Sequence, residues 1–170
     1  ERQARRFVYF LMHKNPAYAE NLRLLVQDLK KETRQCAECF KFFNLHDSVG
    51  DKNLCEICQN THTDSSTLLV VEKDSDLESV KKSRTYHGKY FILGGLVPIV
   101  EKTTKQRIRI EELKKKISRE KKNGLEEVIL AFSISPQGDH TDTYVRQELE
   151  SLVKSLGIKI SSLGKGLSTG

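Results

Sequence analysis

The sequence lacks the long hydrophobic runs that membrane and secreted proteins need. No apolar stretch reaches the roughly 18 residues that mark a membrane span, and the longest candidate, residues 90–100, contains two glycines. The N-terminus (ERQARRFVYFLM) has no small-residue cleavage site of the kind that ends a signal peptide. We see no internal repeat and no low-complexity segment, and we expect no membrane segment. The first residue is Glu1 rather than Met, which indicates that the start is missing.

Positive charge is concentrated in two parts of the chain. The formal net charge is +6, from 29 Lys and Arg against 23 Asp and Glu. Residues 101–122 hold ten of the basic residues and four acids, and residues 1–35 hold eight and four, so the remainder is slightly acidic. Clustered positive charge suits phosphate backbones. A solvated helix face is the alternative, and charge alone leaves both open.

Residues 1–34 are predicted to be helical. Asn15-Pro16 breaks the segment, because the residue before proline avoids the helical region. A second helix is predicted over residues 17–32, with its apolar side chains on one face. Two short helices bury little surface alone, so we expect them to pack on the rest of the chain or on another subunit.

The second half of the chain alternates predicted strands with predicted helices. This order predicts an α/β domain with a mostly parallel sheet and covering helices. Gly157 is predicted to end the last helix. The predicted strands are TLLVVE (67–72), KYFILGG (89–95), LEEVILAFSI (125–134) and IKISSL (158–163), and the predicted helices cover 77–83, 109–120 and 141–156.

All four cysteines lie in one window as two Cys-x2-Cys pairs. Cys36 and Cys39 are separated from Cys55 and Cys58 by fifteen residues, which is a zinc spacing. A two-residue gap lets a tight turn direct both sulfurs at one metal, at about 2.3 Å. Two disulfides, a redox pair and an iron–sulfur cluster are the alternatives. We expect one structural Zn²⁺ closed by four thiolates, without catalytic chemistry. His46 and His62 are unnecessary as ligands, whereas Phe40, Phe42 and Phe43 are expected to pack beside the site.

Carboxylates follow two of the predicted strands. Glu72 ends the first strand, Asp74 and Asp76 follow closely, and Asp139 follows the third strand. Functional groups of parallel sheets lie at the carboxyl ends of strands, and clustered acids there could hold Mg²⁺. The alternative is ordinary turn and helix N-terminal acids, which suit the positive end of the helix dipole.

Together these features resemble RecR, a family of bacterial recombination mediators, over essentially the whole chain. The order matches: a helix of a helix-hairpin-helix motif, a four-cysteine zinc finger and a Toprim domain. Residues 2–6 (RQARR) occupy the hairpin helix, and residues 70–72 (VVE) with Asp76 match the Toprim acidic motif. The remaining matching segments are 86–95 (YHGKYFILGG) with Pro98, 127–131 (EVILA) and 166–170 (GLSTG).

The resemblance implies a non-catalytic, DNA-binding mediator of recombinational DNA repair that loads recombinase onto gapped or single-stranded DNA. It implies RecO as a partner at the Toprim region, where Glu72, Asp76 and Asp139 are the candidate contacts, and RecF in some settings. It also implies a ring-shaped homotetramer in the bacterial cytoplasm, associated with the nucleoid.

The resemblance also implies DNA contacts at Arg2 and Arg6, made with single- and double-stranded DNA without reading sequence. The basic stretch 102–122 is a second candidate. Its Lys114, Lys115 and Lys116 are expected to form a solvated face.

The catalytic set of Toprim enzymes is incomplete in this chain. Such enzymes use a Glu and an Asp-x-Asp pair to place Mg²⁺, but residues 133–135 read SIS and residues 137–139 read QGD. We therefore interpret the domain as a binding platform. The alternative is a Mg²⁺-dependent Toprim nuclease or primase-like enzyme that uses Glu72, Asp76 and Asp139. A zinc-ribbon adaptor without a DNA role is a third candidate.

The expected organisation has four parts: a helical segment (1–34), a zinc finger (35–60), a Toprim domain (66–163) and the start of a C-terminal segment (164–170). We expect the zinc to fix the angle between the DNA-contacting and partner-binding parts. Both ends are expected to be truncated, with the hairpin before Glu1 and a tail after Gly170 missing.

Overall fold

Two helices open the structure, a computed structural model that describes residues 1–47, 50–99 and 108–164. α1 spans Arg2–Met12 and α2 spans Pro16–Glu32. The side-chain oxygen of Asn15 accepts a hydrogen bond from the Tyr18 N–H at 2.9 Å, and proline follows at the first helical position. The predicted break is thus confirmed. No residue of either helix is buried, so the two helices contribute nothing to the core of the following domain.

A small antiparallel sheet follows α2 directly. α2 ends at Glu32, as predicted for the second helix, because Thr33 adopts extended backbone (φ −99°, ψ 136°) and pairs with Asn44. The sequence indicated no strand here, since three-residue strands are too short to show a period. The elements of this segment are β1 (Thr33–Gln35), β2 (Phe42–Asn44), a 3-10 turn (Leu45–Asp47) and α3 (Glu56–Gln59).

The second half forms a four-stranded parallel sheet in the order β4-β3-β5-β6. A helix follows each of the strands β3, β4 and β5, which confirms the predicted α/β arrangement. The elements are β3 (Asp64–Val71), α4 (Asp74–Ser83), β4 (Gly88–Ile92), α5 (Ile110–Lys121), β5 (Glu127–Ala131), α6 (Pro136–Leu156) and β6 (Lys159–Ser162).

The central strand β3 is buried on both faces, which explains its continuous apolar run. Leu68 and Val70 pack with side chains of α5 and α6, whereas Leu69 and Val71 pack with side chains of α4. The sheet therefore separates two apolar layers. The larger layer includes Phe91, Leu93, Ile110, Leu113, Ile117, Val145 and Leu149.

Two helices begin earlier than the sequence indicated, by three residues in α4 and by five in α6. The cause is capping. The Lys73 N–H donates to the Asp76 carboxylate at 3.2 Å, and the Gly138 N–H donates to the Ser135 hydroxyl at 3.0 Å. Gly157 ends α6 with left-handed backbone (φ 62°), as predicted. In the described part of the chain, no helix combines the length and apolar character that a membrane crossing requires.

Candidate metal centre and nucleic-acid interface

Four thiol groups meet at one point beside the small sheet. The Sγ atoms of Cys36, Cys39, Cys55 and Cys58 all lie within 4.8 Å of one another. The Sγ atoms of Cys39 and Cys55 are 3.6 Å apart. Three of the cysteines are buried and Cys58 is partly exposed. The fold therefore brings together both pairs that the sequence predicted.

The distances between these sulfurs fit a tetrahedral metal site and not a disulfide. Bonded sulfurs lie about 2.05 Å apart, whereas four sulfurs at about 2.3 Å from one zinc ion lie about 3.8 Å from each other. The 3.6 Å separation of Cys39 and Cys55 matches the second case, and all four cysteines are free. Among the described residues, no other group of three or more His, Cys, Asp or Glu side chains converges in this way.

The four thiols change one another's ionisation. Hydrogen bonds with Cys39 and Cys55 lower the pKa of Cys36, and contacts with Cys36 and Cys55 raise the pKa of Cys39. Cys36 opposes ionisation of Cys55, but hydrogen bonds with Cys39 and Cys58 lower its pKa to about 7. Four neighbouring thiolates repel one another. A divalent cation removes that repulsion, because the thiolate is the form that binds metal.

Each cysteine pair lies on a turn that directs its sulfurs inward. In the first turn, the Cys36 N–H donates to the Lys41 carbonyl at 2.8 Å, and the Phe40 N–H donates to the Cys36 carbonyl at 3.0 Å. Phe40 has a φ of +64°, which a bulky residue rarely adopts. In the second turn, Cys55 precedes α3 and its N–H donates to the Cys36 Sγ at 3.4 Å, while Cys58 lies within α3.

The three phenylalanines near the cysteines occupy different environments. Phe43 is buried against the cysteines, as predicted. Phe42 is 56% exposed, because successive side chains of β2 point to opposite faces. Phe40 packs edge-to-face on Phe91 of the large sheet, with ring centroids 5.4 Å apart. The prediction that all three shield the site was therefore wrong for Phe40 and Phe42.

Residues 33–59, here called the cysteine module, are held against α5 by ion pairs that include a buried lysine. Glu38, in the first cysteine turn, contacts the Lys116 Nζ at 3.2 Å and pairs with Arg119. Lys116 is only 4% exposed and also contacts Glu120 at 3.4 Å. Glu120 accepts a further hydrogen bond from Lys89 of β4. We call these five residues the α5 charge network.

A second set of ion pairs joins the cysteine module to α4. The Lys41 Nζ contacts Glu56 at 2.6 Å and Glu78 at 3.3 Å, and Lys81 contacts Glu56 at 2.8 Å. Burial alone would lower the pKa of Lys41, but Glu56 and Glu78 outweigh burial and raise it. Burial would likewise raise the pKa of Glu56, but Lys41 and Lys81 lower it to about 2. Lys41 and Glu56 therefore stay charged at neutral pH.

Backbone hydrogen bonds connect the metal ligands to the large sheet. The Ile92 N–H of β4 donates to the Cys39 carbonyl at 2.9 Å. Because β4 is an edge strand, this bond covers part of an otherwise open edge. The Phe42 N–H donates to the Asp74 carboxylate at 2.8 Å, so this acid has a structural role. The Arg109 guanidinium lies over the Phe40 ring, 4.8 Å from its centroid.

The three acids predicted at the Toprim edge lie near the ends of β3 and β5, which are adjacent and parallel. Glu72 directly follows β3, with an oxygen 3.6 Å from the Lys73 Nζ. Asp76 accepts the Lys73 N–H and thereby caps α4. Asp139 lies in the first turn of α6 rather than in a loop. Gly138 beside it approaches the preceding backbone closely: a Cβ there would lie 1.9 Å from the Ser133 carbonyl oxygen.

Arg2 and Arg6 lie one turn apart on α1, and both are exposed. Among the residues that the structure describes, neither forms an ion pair, whereas Arg5 contacts Glu1 at 2.6 Å. The two guanidinium groups are therefore available to phosphates on one face of the helix.

The second basic candidate, residues 102–122, is described only from residue 108 onward, so residues 102–107 lie outside the described residues. The expectation of one solvated face for Lys114, Lys115 and Lys116 was wrong. Lys116 is buried with Glu38 and Glu120, and Lys114 is ion-paired. Helical periodicity explains the difference, because three consecutive residues cannot share one face.

Comparisons with known proteins agree with this architecture. Residues 66–164 match the family model of the Toprim domain. The chain is 32% identical over 167 residues to Recombination protein RecR of Bacteroides thetaiotaomicron, an alignment that covers 98% of this chain and 75% of the relative. The chain belongs to the RecR family. It is also 33% identical to the RecR of Dehalococcoides mccartyi (99% and 76% covered) and 30% identical to that of Amoebophilus asiaticus (100% and 78%).

In this RecR-family chain, the residues that sequence reasoning missed are those of the α5 charge network. Two signals were visible: an acid inside the first Cys-x2-Cys pair, and Lys116 one turn before Glu120 in α5. The contact between Glu38 and Lys116 could not be predicted from the sequence, because the two residues are 78 positions apart. This ion pair forms only when the cysteine module packs against α5, so no local sequence pattern indicates it.

Proposed function

We propose that this RecR-family chain is a DNA-binding recombination mediator that helps to load recombinase onto gapped or single-stranded DNA during recombinational repair. The observation that carries the proposal is similarity to Recombination protein RecR over nearly the whole chain. Its DNA partner is single- or double-stranded and is bound without sequence preference. It acts in the bacterial cytoplasm at the nucleoid, where that DNA is found.

The proposed division of labour follows the chain. The helical segment 1–34 contacts DNA through Arg2 and Arg6 of α1, residues 35–60 form a finger around one structural Zn²⁺, and residues 66–163 form the Toprim platform, followed by the start of a C-terminal segment (164–170). The convergence of four thiols supports zinc, since soft thiolate ligands favour it. Closed by four sulfurs, the ion has no open position for a substrate.

Arg2 and Arg6 are the proposed DNA contacts of α1. Their exposure, their one-turn spacing and the absence of an ion pair among described residues support this role. Guanidinium groups of this kind bind phosphates in positions that carry no sequence information.

Replacing Arg2 and Arg6 together with Ala should lower the salt dependence of DNA binding, log K against log [salt], by roughly two. The measurement is fluorescence anisotropy of labelled oligonucleotides at several salt concentrations, with the full-length protein. The matched control is Arg23→Ala with Lys30→Ala, which removes two exposed charges from α2. An unchanged slope in the first variant would remove both arginines from the interface.

Self-association into a ring is also part of the proposal. The helical segment leaves many large apolar side chains exposed, and a second copy of the chain would cover them. The exposed apolar side chains of α1 and α2 include Phe7, Val8, Tyr9, Phe10, Met12, Leu25, Val26 and Leu29.

RecO, and RecF in some settings, are the proposed partners of the Toprim edge around Glu72, Asp76 and Asp139.

The mediator is proposed to catalyse no reaction. Asp76 is engaged as the cap of α4, and the turn after β5 offers no Asp-x-Asp pair to complete a Mg²⁺ site. These features favour a platform over the nuclease or primase-like alternative, for which Mg²⁺ would be the cofactor.

Incubation of the full-length protein with supercoiled or single-stranded DNA and Mg²⁺ or Mn²⁺ is expected to give no cleavage and no primer synthesis. Glu72→Gln should leave DNA affinity within about twofold, because the residue lies outside the proposed DNA contacts, and should weaken RecO binding. Cleavage or synthesis by the wild type that disappears in Glu72→Gln would establish the enzyme alternative instead.

A further inference from the structure

A basic groove runs between α5 and α6, on the opposite side of the sheet from α4. It has a volume of about 570 Å³ and is lined by four basic side chains, Lys114, Lys115, Arg119 and Lys122, together with two acids, two serines and a leucine. The groove lies away from α1, which carries the DNA contacts proposed above. The distribution of charge along it shows which cations remain available for a ligand.

Both acids of the groove form ion pairs with the same lysine, Lys114. Lys114 Nζ contacts Glu148 at 2.8 Å and Glu111 at 3.1 Å. In the described ranges, by contrast, no carboxylate lies within ion-pair distance of Lys115 or Lys122, and both side chains are exposed. Two cations of the groove therefore face solvent without a protein counter-charge.

Lys115, Arg119 and Lys122 follow one another at the i, i+4, i+7 spacing of a single helix face. The row extends over about 10 Å along α5. Arg119, in the middle of the row, is paired with Glu38 of the first cysteine turn. This ion pair with the cysteine module fixes the position of the Arg119 side chain. A row of positive charges suits a linear polyanion better than a compact anion.

Compensation of the helix dipole accounts for only part of this pattern. Basic residues in the last turn of a helix favour its negative end, and this explains Arg119 and Lys122. Lys115 lies seven residues before the C-cap, and the dipole effect falls off within the last turn. The dipole therefore does not account for its exposed ammonium group, which is aligned with the other two.

We propose that Lys115 and Lys122, with Arg119 between them, form a second contact surface for the phosphodiester backbone of DNA. This inference rests on the proposed function, because it takes DNA as the partner of the chain. Recognition is by charge and independent of base sequence, because contacts to phosphates carry no sequence information.

The test compares two double variants of the full-length protein, each lacking two positive charges. K115Q with K122Q removes the proposed contacts. K82Q with R84Q removes two exposed charges at the end of α4, on the other side of the sheet, and serves as the control. Affinity for a single-stranded oligonucleotide and for a blunt duplex is measured by anisotropy as a function of salt.

The groove variant is expected to weaken DNA binding by roughly tenfold at 0.1 M salt and to lower the salt slope by one to two, in the single-stranded arm, the duplex arm or both. The control should stay within about twofold of the wild type. Equal slopes for groove variant and control overturn the inference, and the proposed function survives if the Arg2 and Arg6 variant still lowers the slope. Unchanged DNA binding with weaker RecO binding assigns the groove to a protein partner. A wild type that binds no DNA overturns both proposals.

Discussion

Replacing Cys39 with Ser is expected to abolish tight zinc binding and to lower the free energy of unfolding by several kcal/mol. Cys39 is buried and its sulfur lies 3.6 Å from that of Cys55. The replacement therefore removes one of the four converging sulfur ligands. Structural zinc binding contributes about 10–16 kcal/mol in zinc-finger peptides at neutral pH, and that energy is folding energy. Zinc per chain, measured by plasma mass spectrometry, and urea unfolding with and without chelator check the expectation.

Two histidine variants are the controls. His46→Ala and His62→Ala should each retain one zinc per chain, because both histidines lie outside the cluster of four thiols. The zinc assignment fails if Cys39→Ser stays folded with one zinc bound, or if a histidine variant loses the metal.

Loss of the metal should also destabilise the edge of the Toprim sheet at β4. The carbonyl of Cys39 accepts the Ile92 N–H, and Glu38 in the same turn pairs with Lys116 and Arg119. Hydrogen exchange at Ile92 should therefore accelerate in Cys39→Ser beyond the increase at the β5 amides.

The cysteine module thus has the position of a joint between the helices and the sheet. α2 passes into β1 without a linker, since Glu32 ends the helix and Thr33 begins the strand. On the other side, ion pairs, an aromatic contact and a backbone hydrogen bond hold the module to α4, α5 and β4. We therefore expect Cys39→Ser to change oligomeric state or DNA binding in the full-length protein, and unchanged behaviour in both would contradict the joint hypothesis.

Patterns that depend on neighbouring residues predicted the fold well. The strands β3, β4 and β5 contain apolar runs because many of their side chains are buried, on both faces in β3. The four cysteines indicated a metal site because zinc-ligand spacing reflects the geometry of two short turns. Asn15-Pro16 marked a helix boundary for an equally local reason.

Features that depend on distant residues were not predictable in the same way. The early start of α6 is an exception, because the Ser135 cap that causes it is a local feature of the sequence. Burial of Lys116 could not be inferred from a run of three lysines, because it requires Glu38 from the docked cysteine module. Phe40 turns away from the sulfurs because its left-handed backbone directs the ring toward Phe91.

Replacing Glu120 with Ala is expected to destabilise the protein by about 3 kcal/mol, because removing one partner leaves buried positive charge without compensation. Glu120 is 4% exposed and contacts both Lys89 and Lys116, and Asn123 donates to it at 3.0 Å. After the replacement, Lys116 keeps only Glu38 as an acidic partner among the described residues. Urea unfolding of the zinc-loaded protein at pH 7 gives the loss, and Glu112→Ala, an exposed site on the same helix, should change stability by less than about 0.5 kcal/mol.

The pH dependence of this loss identifies its electrostatic part. Burial alone would raise the pKa of Glu120, but the Asn123 hydrogen bond and the charges of Lys89 and Lys116 lower it to about 2. The carboxylate therefore stabilises the fold fully above its unfolded pKa of about 4.3 and loses that effect as the pH falls toward 2. The stability difference between wild type and Glu120→Gln should be constant from pH 8 to about 5.5 and shrink below about 4.5. A difference that persists unchanged at pH 3.5 would mean that Glu120 acts through its packing and not through its charge.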